Sequence, residues 1–188
     1  MNGSQSHQQK SPQNELGHAH LLDALYAGSD LGACHGCAHR GPAMMARVAW
    51  LGRFMGLAEQ IATWSKDPTQ GVGAVIARPD HTIASVGFNG FPRGCNDDPA
   101  LYADRDVKRL RTVHAELNAI LSAREPLHGY TIYSTGRPCS ACAAAIIQAG
   151  ISRVLYRHNP ELESRWRESM DAGADLLLEA GIPLISVM

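Results

Sequence analysis

At 188 residues with 45% apolar side chains, the chain can bury one sizeable core and is short for two. A formal net charge of −1 gives no global electrostatic reason to hold nucleic acid or anionic lipid, and favours a small, diffusible partner. No apolar run approaches the ~20 residues of a membrane helix, and "MNGSQSHQQKSPQNE" lacks the apolar centre of a signal peptide, so a cytoplasmic protein with no membrane partner is expected.

Residues 1–41 read as an N-terminal extension, partly disordered, ahead of one folded domain spanning 42–188. Positions 1–15 are rich in Gln, Ser and Asn and are expected to be disordered. "LGHAHLLDALYA" (16–27) has the pattern of a short amphipathic helix, and "GSDLGACHGCAHRGP" reads as loop. From Pro42 the pattern changes to a long helix, with Met45, Val48, Leu51 and Met55 at near-helical spacing and facing the core. "VGAVIARPDHTIASVGFN" gives two β-rich runs around the turn signal "RPDH", an antiparallel hairpin. After the loop "GFPRGCNDDPA", "DRDVKRLRTVHAELNAILSA" looks helical in its second half. "YTIYST" is a strand, "PCSACAAAIIQA" a helix closed by Gly150, and "SRVLYR" a strand; 161–180 form a last helix and "IPLISV" a last strand. Helices between strands three, four and five permit parallel neighbours. The expected architecture is α/β: a mixed five-strand sheet covered on both faces, in three α/β/α layers.

Five cysteines fall into two CxxC pairs, Cys34/Cys37 and Cys139/Cys142, with Cys95 alone. In a chain of this size, that pattern points to metal or thiol chemistry rather than a disulfide framework. Cys139 and Cys142 stand three apart at a helix start, so their sulfurs can share one face, and the exposed helix-start amides favour thiolates. Pro138 costs that first turn nothing, because its N–H groups have no intrahelical acceptor. Two thiolates leave a zinc site unfinished, and "VHAELNAI" supplies His114 with Glu116 beside it. One neutral imidazole and two thiolates keep a fourth position for water, as in a catalytic site. A carboxylate that is not a ligand can then move the proton, and Glu116 is placed for it. Positions two apart on a helix point to nearly opposite sides, so this requires His114 to lie at the helix entry.

HAE followed by PCxxC matches the known signature of zinc nucleobase deaminases. With "SKDPTQGVGAVI", "VGFNGFPRGCNDD" and "TIYSTGRPCSACAAAIIQAGISRVLY" in the same order, the chain from about Trp50 onward resembles the deoxycytidylate (dCMP) deaminase family. The resemblance implies a cytidine deaminase-like fold and a hydrolase of cyclic amidine C–N bonds, turning dCMP and water into dUMP and ammonia and so supplying dUMP for thymidylate synthesis. It assigns Zn2+ to His114, Cys139 and Cys142, and to Glu116 the proton transfer to the ring nitrogen and then to the leaving amine. Asn89 matches an asparagine that contacts the sugar. The loop "GFNGFPRG" matches a nucleotide-binding segment, with Arg93 able to pair with phosphate and dCTP or dTTP as effectors in the regulated members. The family also implies a homo-oligomer, commonly a hexamer. Relatives of this kind can take a modified deoxycytidine nucleotide, another free nucleoside or nucleotide, or a base in single-stranded DNA or tRNA. The last would want a basic channel with aromatic platforms, against 6% aromatic content here.

Other features carry two readings each. Cys34, Cys37 and His39 offer three ligands for a second metal, or with His35 a redox or tag-like loop; Cys95 is either a small unreactive residue or a further ligand there. The run Arg105, Lys108, Arg109 and Arg111 is a solvated face or includes one phosphate contact. Asp97 and Asp98 cap a helix or repel polyanions. Trp50, Phe54 and Trp64 are read as core of the first helix. Arg137 stands where the family has a more apolar segment, and either reads a phosphate or points to solvent.

Overall fold

A strand covered on both faces must be apolar throughout, and "GAVIA" is buried at every position of β1 (Gly73–Ala77). The computed structural model describes residues 42–187, with side chains from 48 onward. The expectations for 1–41, including the helix at 16–27 and the set Cys34, Cys37 and His39, lie outside the described residues. β1 turns back into β2 (Ile83–Phe88), antiparallel, through a turn closed by the Asp80 carboxylate, which accepts from Thr82 N–H at 3.0 Å and its hydroxyl at 2.7 Å. β3 (Thr131–Ser134) pairs antiparallel with β1 on its other side, and β4 (Arg153–Arg157) and β5 (Leu184–Val187) extend the sheet in parallel. The order is β2-β1-β3-β4-β5, the expected mixed five-strand sheet.

Side-chain alternation assigns the layers. Ala74 and Ile76 share a buried cluster with Ala115 and Ala119 of α3 (Ala115–Ser122), Ala143 and Ile146 of α4 (Ser140–Gln148), and Leu177 of α6 (Arg167–Glu179). Val75, one position on, faces the opposite way beside its register partner Tyr133, whose ring lies 5.0 Å from Phe54 of α1 (Pro42–Ala62). Gly87 lets α3 close onto β2: a Cβ there would stand 2.3 Å from Ala119 N.

Several sequence expectations shift. α1 buries Phe54, Met55, Ala58 and Ile61; of the expected stripe, Met55 is buried and Leu51 half-buried, while Val48 is 48% exposed. Trp64 lies beyond the helix, about half exposed and edge-on to Phe88. The stretch before His114 is also helical, as α2 (Arg105–Arg111), because Asp104 caps it through the N–H groups of Asp106 and Val107. The single helix expected over 161–180 is two: α5 (Pro160–Arg165), capped by Asn159, and α6, broken at Trp166, whose φ of −117° and ψ of 19° leave the helical range. A short 3-10 turn, Pro99–Tyr102, is capped by Asp98, while Asp97 accepts from Tyr102 and pairs with Lys66.

Candidate active site

His114 is the cap residue of α3, with extended φ, ψ of −71° and 157°, and Glu116 is in its first turn. That backbone break is what a His-x-Glu pair needs to aim both side chains inward. Cys139 is likewise the extended cap of α4 (φ −76°, ψ 172°), and Cys142 sits one turn on. β3 feeds this turn, since Ser134 ends the strand four residues before Pro138. α6 presses against it from outside: a Cβ on Gly173 would lie 2.9 Å from both Pro138 O and Cys139 C, so only glycine lets the helix this close.

The two helix starts converge. Cys139 Sγ lies 3.4 Å and Cys142 Sγ 3.5 Å from His114 Nδ1, and the three donor atoms all fall within 4.8 Å of one another. Tetrahedral zinc with ordinary Zn–S and Zn–N bonds places such N and S atoms about 3.5 Å apart, so the donor set fits that ion. Glu116, 4% exposed, has Oε2 3.6 Å from Cys142 Sγ and accepts at Oε1 from Ser134 Oγ at 3.3 Å.

The charges fit a cation at the centre. Hydrogen bonds from Cys142 and then His114 hold the Cys139 thiol down at about 3, and the Cys139 sulfur raises His114 to about 8. Cys142, donating to that thiolate and buried, is pushed strongly up. Burial raises Glu116 above the usual carboxylate range despite the pull of His114. A divalent ion bound here would displace the protons of Cys142 and His114, and the two thiolates would balance its charge.

Among the other candidates, Asn89 is buried, with Oδ1 accepting from Val72 N–H at 2.7 Å and Nδ2 donating to Gln70 O at 2.9 Å. Arg93 donates to Ser122 Oγ at 3.0 Å, in a groove shared with Phe88, Phe91 and Asn118. Arg137 is drawn away to α6, where Nη1 meets Asp171 at 2.9 Å on the wall of a cavity of about 270 Å³ with His158, Glu163 and Arg167. Cys95 is exposed. Lys108, from the basic run, turns inward to Asp67 at 3.1 Å and Thr69 at 2.6 Å. Sequence reasoning missed three contributors. Ser134 was signalled only by a hydroxyl ending an apolar strand, and Gly173 by nothing local. Trp166, in the interval expected to be helix, stands edge-on to His114 at 6.4 Å and 79°.

Donors converging from two helix starts, with a buried carboxylate at their side and a mixed sheet behind them, define a zinc hydrolase of the α/β class. Residues 48–158 match the family model described as the cytidine and deoxycytidylate deaminase zinc-binding region, and the chain belongs to that family. It is 46% identical over 134 residues to a protein of Aliivibrio fischeri named "Uncharacterized deaminase in luxG 3'region", covering 71% of this chain and 90% of that one. Identity to the human deoxycytidylate deaminase is 36% over 137 residues, 70% of this chain and 74% of the human one. The crystal structure of dCMP deaminase from the cyanophage S-TIM5 in apo form is similar with a TM-score of 0.55 and 26% identity, covering 73% of this chain and 96% of that one.

Proposed function

We propose that this chain hydrolyses dCMP to dUMP and ammonia. The observation that carries the reading is the buried Glu116 carboxylate beside the His114, Cys139 and Cys142 donors, a base next to a metal site rather than a fourth ligand. The likeness to the human deoxycytidylate deaminase over most of the folded part supports dCMP as the substrate. Bound by His114, Cys139 and Cys142, zinc supplies the Lewis acidity that lets water act as nucleophile at neutral pH.

The chain's own groups handle the protons. As water oxygen adds to C4 of the pyrimidine, the Glu116 carboxylate takes one of its protons and delivers it to ring N3. Glu116 then takes the remaining hydroxyl proton and hands it to the 4-amino group, the C4–N bond breaks, and ammonia leaves with the carbonyl formed. Ser134 fixes the rotamer of this carboxylate through its hydrogen bond. Asn89 holds the loop after β2 by two backbone contacts and keeps one amide N–H for a sugar hydroxyl. Arg93 serves the same loop as a nucleotide-phosphate contact, and Gly94, at φ +81°, gives that loop its left-handed turn.

The finer parts of the reading are a cytoplasmic location, a homo-oligomer as large as a hexamer, and dCTP or dTTP as effectors. Thiolate ligands suit a reducing compartment, and edge strand β2 with partly exposed Ile83 and Phe88 suits assembly. Among the described residues no helix is long and apolar enough to cross a membrane.

The test is ammonia release from a panel of dCMP, CMP, deoxycytidine, dCTP, methylated dCMP and a short single strand, run with the wild type and Glu116→Ala. dCMP is expected to be the preferred substrate, with Glu116→Ala keeping its zinc and losing about 10²- to 10⁴-fold in turnover. Undiminished turnover in that variant would remove Glu116 from the mechanism; a methylated nucleotide or single strand turned over faster would replace dCMP.

A further inference from the structure

We infer that Ser134 gives the two oxygens of the Glu116 carboxylate unequal work: Oε1 is held as a fixed acceptor, and the protons moved in turnover travel on Oε2. This deepens the proposed deamination and rests on that reading.

The directions follow from a short chain of donors. Ser134 closes β3 and is fully buried, between Ala74 of β1 and Tyr156 of β4 in the register. A hydroxyl offers one hydrogen and two acceptor sites. Two residues on, the Gly136 N–H donates to Ser134 Oγ at 3.3 Å, which fills an acceptor site and leaves the hydroxyl hydrogen for another partner. That partner is Glu116 Oε1, which accepts from Ser134 Oγ at 3.3 Å. The other carboxylate oxygen, Oε2, lies 3.6 Å from Cys142 Sγ, on the side of the metal donors. The order therefore runs from the Gly136 amide through the Ser134 hydroxyl to Oε1, with Oε2 left toward the donor centre.

The start of this chain is fixed by the backbone. Thr135 donates its N–H to Gly73 O at 2.9 Å and accepts at Oγ1 from Gly73 N–H at 3.0 Å, which ties the residue between Ser134 and Gly136 to β1. Gly136 is pressed against α5, where a Cβ would stand 3.0 Å from Leu162 Cδ2. An amide set this firmly keeps the hydroxyl from turning round, because reversing it would aim its hydrogen at the Gly136 N–H.

A carboxylate that moves two protons in succession works best when each lands on the oxygen that faces the substrate. A proton on Oε1 would face the Ser134 hydrogen and lie out of reach of the pyrimidine. With Oε1 already accepting, Oε2 is the site left for the proton that goes to ring N3 and for the one that goes to the amine. Ser134 keeps its own hydrogen throughout, so it is a positioning residue. Packing alone does not call for it, since an apolar side chain fills a buried strand position without a hydroxyl to satisfy.

The experiment uses the zinc-loaded full chain as wild type, Ser134→Ala and Ser134→Thr, with zinc per chain measured first. In Ser134→Ala, kcat for dCMP is expected to fall about 10- to 100-fold with KM within about twofold, because one hydrogen bond to a buried charged group is lost. Ser134→Thr keeps the hydroxyl and should regain most of the rate. In parallel, the Glu116 carboxyl bands are isolated in the infrared by subtracting the Glu116→Gln form of each protein. They should shift in Ser134→Ala and stay in place in Ser134→Thr. An unchanged kcat or an unmoved band in Ser134→Ala overturns the inference, as does a zinc deficit that accounts for the whole fall. If Ser134→Thr does not fold, Ser134→Ala decides by rate and band together. Wild-type protein inert toward dCMP overturns the proposed function instead; the infrared comparison then decides the inference alone, since it reads the hydrogen bond without turnover.

Discussion

The two helix starts that carry His114, Glu116, Cys139 and Cys142 differ in kind from the rim of Arg109, Trp166 and Arg93. Cys139, Cys142 and Glu116 are less than 10% exposed, and both sulfurs stand 3.4–3.5 Å from His114 Nδ1. The rim is drawn from α2, the α5–α6 break and the loop after β2; its two arginines are long and exposed, each with a single side-chain contact. Bond making needs atoms fixed to a fraction of an ångström, so the centre is built on rigid elements and sealed by Gly173. Recognition of one nucleotide needs only a few charges and surfaces at the right distance, and long side chains from separate segments supply them.

The sharpest way to break the comparison is to remove a donor from the centre. Cys142→Ser is expected to lose stoichiometric zinc after dialysis and, with it, turnover, a larger effect than the roughly 10- to 100-fold that changes outside the ligand shell cause. Arg93→Ala, a change at the rim, should keep one zinc per chain by atomic emission. Equal zinc in the two variants would mean that the buried donors do not hold the metal. Next in size is the seal. Gly173→Ala drives a methyl into the backbone of Pro138 and Cys139, and should cost about 1–3 kcal/mol of unfolding free energy and weaken zinc retention. Gly56→Ala, where a Cβ on α1 meets nothing within 4 Å, should instead stabilise by about 0.5–1 kcal/mol. Denaturant unfolding that ranks the two alike would deny the Gly173 contact its role.

The same contrast explains what the sequence could be read for. The site lies in two short words, HAE and PCSAC, because His114 with Glu116, and Cys139 with Cys142, each share one helix start and local spacing carries the geometry. The strands are legible for a similar reason: "GAVIA", buried on both faces, had to be a continuous apolar run. α2 was hidden because its basic surface shows no apolar stripe, even though the Asp104 carboxylate caps it by accepting from the N–H groups of Asp106 and Val107. Trp166 was hidden because its role depends on a break inside a run with helical composition. Arg109 was visible only as one of four cations. Which of them turns to Asp67 and which to an indole is decided by segments 40 to 60 residues away, and no local pattern records that.

Arg137 gives the smallest effect and the closest test of where the rim ends. Its place beside Pro138 and Cys139 left two readings in the sequence, a phosphate contact or a side chain pointing to solvent. Its guanidinium instead meets Asp171 of α6, with a side chain 18% exposed, on a cavity wall it shares with Glu163. A cation already paired with a carboxylate has less charge to offer a further anion, and Asp171 is half exposed, so the pair itself stabilises by only about 0–1 kcal/mol. Arg137→Ala should therefore lower stability by about 1 kcal/mol, part of it from lost packing of the stem, and leave the dCMP over deoxycytidine ratio within twofold of wild type. A tenfold fall in that ratio would move the phosphate from the loop after β2, where Arg93 lies, to the α6 side of the site, and the recognition surface with it.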